Sequence, residues 1–135
     1  VVPSLIFALN KMEASEITVS NRTYKKAEDL KIQFNKINIV SWGEVPDSDM
    51  IINATSLGLK EDENIDLDYS KIGSEKFFYD VIYNPSETNF LRSAKKNGNK
   101  IENGKRMFIY QAQASFKIWN NLEPKVDNKV MELLN

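Results

Sequence analysis

Leu5, Ile6, Leu9 and Met12 recur at helical spacing and predict an opening helix, with Pro3 in a first turn where its missing N–H would be unpaired anyway. Residues 16–21 are short and β-branched and read as a strand. A helix follows over about 23–36, with Ala27, Leu30 and Phe34 on one face. The strand-then-helix order recurs. Residues 37–42 and 50–55 predict two further strands, and 60–74 is an acidic, irregular stretch with room for one short turn. Residues 77–83 are apolar without alternation, and Asn84-Pro85 ends them before a helix that starts near Thr88 and closes at Gly98. A short strand over 100–103 and two helices, about 106–121 and 126–134, complete the pattern. Strands apolar on both faces belong to parallel sheets covered by helices on each side. The fold class predicted is therefore α/β, a doubly wound, mostly parallel sheet in one domain over residues 1–135.

The composition narrows the chemistry. Hydrophobic residues make up 41% of the 135 and charged residues 27%, which is globular rather than disordered. With no Cys and no His there is no thiolate, disulfide, imidazole base or Ser-His-Asp triad, and a metal would need oxygen ligands alone. Eighteen Lys and Arg oppose 19 Asp and Glu, so a broad nucleic-acid footprint is not expected. Apolar runs of about six residues fall far short of the roughly 20 needed to cross a bilayer. The reading is of a soluble, cytoplasmic protein without nucleic-acid or membrane partners.

In a doubly wound sheet ligands bind beyond the carboxyl ends of the strands. The first such end is Ser20-Asn21-Arg22-Thr23, with Lys25 and Lys26 beyond. An acid here would bind ribose hydroxyls, whereas a 2′-phosphate needs positive charge; this chain has an arginine and no acid. Lys25 and Lys26 oppose the macrodipole in a first helical turn, and an anion would relieve that cost. Thr23 suits both an N-cap and a phosphate donor. A solvated basic helix start is the competing interpretation.

Three more strand ends follow. Asn53-Ala54-Thr55-Ser56-Leu57-Gly58 has the small hydroxyl residues and glycine of a tight turn. In Tyr79-Asp80-Val81-Ile82-Tyr83-Asn84-Pro85, Asp80 interrupts an apolar strand and must find a partner or backbone donors. After Asn103-Gly104, Gln111 shares a helical stripe with Met107, Ala114 and Ile118, so it is expected to reach solvent in a cleft, hold a ligand, or bond a neighbouring loop.

Taken in order, these four signatures resemble the NADP-binding C-terminal domain of shikimate dehydrogenases, and they span nearly the whole chain. The resemblance implies that Asn21, Arg22, Thr23 and Lys26 grip the 2′-phosphate of NADP, with Arg22 against the adenine. It implies that Val81 and Gly104 line the nicotinamide near Met107, and that Tyr83 and Gln111 face shikimate or 3-dehydroshikimate. The implied reaction is reversible hydride transfer between NADPH and the carbonyl of 3-dehydroshikimate.

The departures carry expectations too. Nothing here matches the family's N-terminal domain, which carries the catalytic Lys and Asp, so no catalytic residue and no metal site is assigned. The first strand and glycine-rich loop are also missing, since Val1 falls where that loop passes into its helix. In the usual order 3-2-1-4-5-6 the missing strand is central, so two unpaired strand edges are expected, with an unstable or aggregation-prone chain. The expectation is a truncated product or part of a longer polypeptide, completed by the N-terminal half of the same enzyme, with a homodimer left open. Lys105-Arg106 stands where the family has an apolar residue and a glycine. A non-catalytic nucleotide-binding or interaction module is the alternative function.

Overall fold

The computed structural model describes residues 1–133. The chain divides into two compact units, residues 1–48 with 66–72 and residues 49–65 with 73–135. Unit 1 holds α1 (Val2–Lys11), β1 (Ile17–Ser20), α2 (Tyr24–Gln33), β2 (Ile37–Val40) and the one-turn α3 (Tyr69–Ile72). Strands β1 and β2 run parallel with Ile17 opposite Ile37 and Ser20 opposite Val40, and α2 packs on both. The helical stripe over 23–36 places Ala27 fully inside, and Ile37 opens β2 fully buried. Pro3 sits in the first turn of α1, and Ile6 is the residue of that helix that is buried.

Unit 2 holds β3 (Met50–Asn53), β4 (Phe77–Asp80), α4 (Asn89–Lys96), β5 (Lys100–Glu102), α5 (Lys105–Asn120) and α6 (Asn128–Glu132). Its sheet has the order β3-β4-β5, parallel throughout, with Asn53 opposite Asp80 and Tyr79 opposite Glu102. Helix α4 packs on β4 and β5. It carries Phe90, Leu91 and Ala94 into the core, where the Phe78 and Phe90 rings meet at 5.3 Å between centroids. Burying large apolar side chains of this kind is worth about 1.5–3 kcal/mol each, so this cluster dominates the unit. The Asn84–Pro85 peptide is cis.

The α/β class and the parallel pairing agree with the sequence pattern. Among the described residues the strands fall into a pair and a triplet, and β1 and β3 each have one partner, which agrees with the two unpaired strand edges expected from the sequence. The apolar runs overstate the strands. The run over 77–83 is strand only as far as Asp80: the Val81 N–H still reaches the Asn53 carbonyl, but the Ile82 N–H that a longer ladder would need goes to the Asp80 carboxylate. The last helix is described over Asn128–Glu132, and residue 134 of the predicted span lies outside the described residues. None of the described helices is long and apolar enough to cross a membrane.

Candidate functional site

In unit 1, β1 stops at Ser20, whose Oγ donates to the Ser41 carbonyl at 2.9 Å. The Asn21 Nδ2 donates to the Thr23 carbonyl at 2.8 Å, which folds the chain into a turn ahead of α2. Thr23 occupies the N-cap, yet its hydroxyl makes no capping hydrogen bond. The Thr88 and Asp127 side chains, by contrast, do cap α4 and α6. The first turn of α2 has no acid to complement its dipole.

The two lysines of that turn differ. Lys25 reaches Asp29 at 3.1 Å and Glu28 at 3.9 Å, and the hydrogen bond with Asp29 raises its pKa. Its charge is therefore compensated inside the helix, which corrects the expectation that both lysines call for an external anion. Arg22 and Lys26 are exposed, and among the described residues their side chains make no ion pair or hydrogen bond. The result is two uncompensated cations flanking an uncapped helix start.

In unit 2 the ends of β3 and β4 are tied by one buried polar cluster. Asp80 is fully buried and accepts three kinds of donor. Thr88 Oγ1 donates to it at 2.6 Å, the Ile82 N–H at 3.0 Å, and Asn53 Nδ2 at 3.1 and 3.2 Å. Burial pushes the Asp80 carboxyl above the usual carboxylate range, and the bonds from Thr88, Ile82 and Asn53 pull it back. Asn53 also donates to the Leu57 carbonyl at 3.0 Å and accepts from Thr55, so the whole 53–58 turn is pinned to Asp80. Sequence patterning gives Asn53 and Thr88 no role of their own; the signal for them is the lone acid in an apolar strand, which requires donors.

Beyond Asp80, Val81 is half-buried and its N–H donates to the Asn53 carbonyl at 3.0 Å. Gly104 N–H donates to the Ile82 carbonyl at 3.0 Å. A Cβ on Gly104 would stand 1.9 Å from the Val81 carbonyl oxygen, so only glycine allows this approach. Val81 and Gly104 are thus in backbone contact. Asn103 braces the same place, donating to the Ser86 carbonyl at 2.8 Å and accepting from the Lys105 N–H at 3.1 Å.

Tyr83 is half-buried and stacks on Phe108 of α5, with ring centroids 4.6 Å apart. Gln111 lies one helical turn after Phe108, is exposed, and its Nε2 donates to Ser115 Oγ at 3.2 Å. Its stripe is not buried: Met107 is half-buried, while Ala114 and Ile118 are exposed. Helix α5 buries only Ile109, so the cost expected for a buried amide does not arise.

No protein-family model matches the chain. A shikimate dehydrogenase (NADP(+)) of Pelagibacter ubique is 56% identical over 135 residues, all of this chain and 51% of that protein. A crystal structure of shikimate 5-dehydrogenase from Thermus thermophilus in complex with NADP(H) and shikimate superposes with a TM-score of 0.76 at 30% identity, over 92% of this chain and 46% of that one. The quinate dehydrogenase of Corynebacterium glutamicum in complex with NAD gives 0.81 at 26% identity, over 95% and 48%. The fold is accordingly Rossmann-like, and the chain spans about half the length of the curated relatives it matches.

Proposed function

We propose that this chain, related throughout its length to one half of the NADP-dependent shikimate dehydrogenases, is the NADP-binding domain of such an enzyme. The reaction is the reversible reduction of 3-dehydroshikimate to shikimate, in a cytoplasmic setting, completed by the N-terminal half found in the family. When bound, NADPH supplies the hydride. Arg22 and Lys26 hold the 2′-phosphate, Thr23 donates its uncommitted hydroxyl to it, and Asn21 shapes the turn that presents them. Val81 and Gly104 form the backbone wall for the nicotinamide. Tyr83 and Gln111 orient the substrate from unit 2, the amide through a substrate hydroxyl. No group of this chain is assigned the proton transfer.

The carrying observation is the pair of unpartnered cations at an acid-free helix start. Two free positive charges and a free hydroxyl suit a dianionic phosphate, and a cofactor without it would leave them unmatched. Calorimetric titration of the chain with NADPH and NADH tests this. NADPH is expected to bind at least about tenfold more tightly, and Arg22→Asp to remove that preference while leaving NADH little changed. Equal affinity for both cofactors, or none for either, would overturn the proposal. A non-catalytic nucleotide-binding module would share this binding but show no shikimate oxidation once an N-terminal half is added.

A further inference from the structure

We propose that Asp80 is a positioning residue for the nicotinamide end of the site, acting through Ile82 on Gly104; this rests on the reading of Val81 and Gly104 given above. The cluster consists of donors that converge from three places. Asn53 comes from the end of β3, Thr88 from the N-cap of α4, and the Ile82 N–H from the chain just beyond β4. A carboxylate is the one side chain with acceptor sites for all of them and no proton of its own to misplace. A valine or isoleucine would fill an apolar strand at lower cost, since burying an acid is unfavourable unless every lone pair is engaged.

What the carboxylate holds is a specific piece of backbone. Ile82 is gripped at its N–H by Asp80 and at its carbonyl by the Gly104 N–H, each at 3.0 Å. Val81 is enclosed by the tie from Ile82 back to Asp80, and its carbonyl leaves no space for a side chain on Gly104. Loosening Asp80 therefore frees Ile82, and the Val81–Gly104 wall with it. Asn53 and Thr88 set the carboxylate's rotamer, and Thr88 also accepts the Leu91 N–H at 3.4 Å, so α4 is tied to the same point.

Asp80→Asn is nearly isosteric but turns an NH2 group into a ring of donors. Two readouts on the 135-residue chain separate positioning from general folding. Amide hydrogen exchange is expected to quicken about tenfold at Gly104 and Ile82, the loss of about one buried hydrogen bond, while β4 and β5 amides keep their rates. NADPH binding is expected to weaken about tenfold, whereas adenosine 2′,5′-bisphosphate, a probe that lacks the nicotinamide, keeps its affinity. Thr88→Val should reproduce the exchange effect in part, and Thr88→Ser, which keeps the hydroxyl, should restore the parent behaviour. If Asp80→Asn does not fold, this Thr88 pair decides the matter. An unchanged Gly104 amide, or uniform acceleration across β3 to β5, would overturn the inference. A parent chain that binds neither probe would overturn the functional proposal, and the exchange data would still decide the coupling from Asp80 to Gly104.

Discussion

Gly104 ends the turn ahead of α5 with its N–H on the Ile82 carbonyl. An Asn-Gly pair ahead of a helix reads as a turn, but the reason for glycine is a backbone approach that no sequence pattern displays: the Val81 carbonyl fills the space a Cβ would need. Gly104→Ala must displace backbone, and is expected to cost about 3 kcal/mol or more, at the upper end of overpacking effects. Urea denaturation measures that cost, and a loss under about 1 kcal/mol would mean the 103–105 turn relaxes freely. Two acids then give opposite signs with pH. The hydrogen bond from Ser70 and the pairing with Lys71 hold exposed Asp68 at about 2, so its contribution is present above the ordinary carboxylate value and fades as pH falls through about 2. Burial raises Asp80, so its contribution is present below the ordinary value and is lost as pH rises through its own elevated pKa. Carboxyl NMR titration should find Asp68 low and Asp80 high; the reverse order would refute the burial argument. That Asp80 needed partners was legible in the sequence. Which partners was not, because Asn53 and Thr88 lie 27 and 8 residues away and meet it only through register and a helix cap.

At the scale of elements, each strand and each longer helix follows from its own periodicity, and the ends shift by a few residues where polar groups intervene. Helix α5 marks the limit of that logic. Its apolar pattern shows that a face wants cover, and a pattern cannot show what covers it. In the described residues Phe116, Ile118 and Trp119 are 42%, 80% and 80% exposed, and Gln111 stands on the same open helix rather than in a core. Exposed apolar groups of this size in one helix promote self-association without supporting the fold. Ile118→Ser with Trp119→Gln should therefore alter stability by no more than about 0.5 kcal/mol per site while reducing light scattering at high concentration. A penalty of about 2 kcal/mol or more would show that this face is packed in solution. Helix α2 makes the complementary point. Thr23 was legible as an N-cap position, but that its hydroxyl stays uncommitted depends on the turn built by Asn21, which periodicity does not encode.

For the molecule as a whole, the parallel strands were legible and so were the two unpaired edges, because pairing depends on which strands exist to be neighbours. Unit 1 rests on one parallel pair whose β1 residues are all half-buried, and two-stranded sheets are marginal by themselves. Unit 2 has three strands, fully buried Phe78 and Asp80, and a helix carrying Phe90, Leu91 and Ala94 into its core. Opening free energies scale with such burial, so native-state hydrogen exchange should show two levels, with β1 and β2 amides exchanging at least about tenfold faster than those of β4. A ligand that binds only the native form raises stability in proportion to the logarithm of its concentration over its Kd. Adenosine 2′,5′-bisphosphate at about 100 times its Kd should then slow exchange in β1 and α2 by about a hundredfold, with β4 unmoved. Equal protection in all strands, rising together with the ligand, would instead mean that the 135 residues open as a single cooperative body.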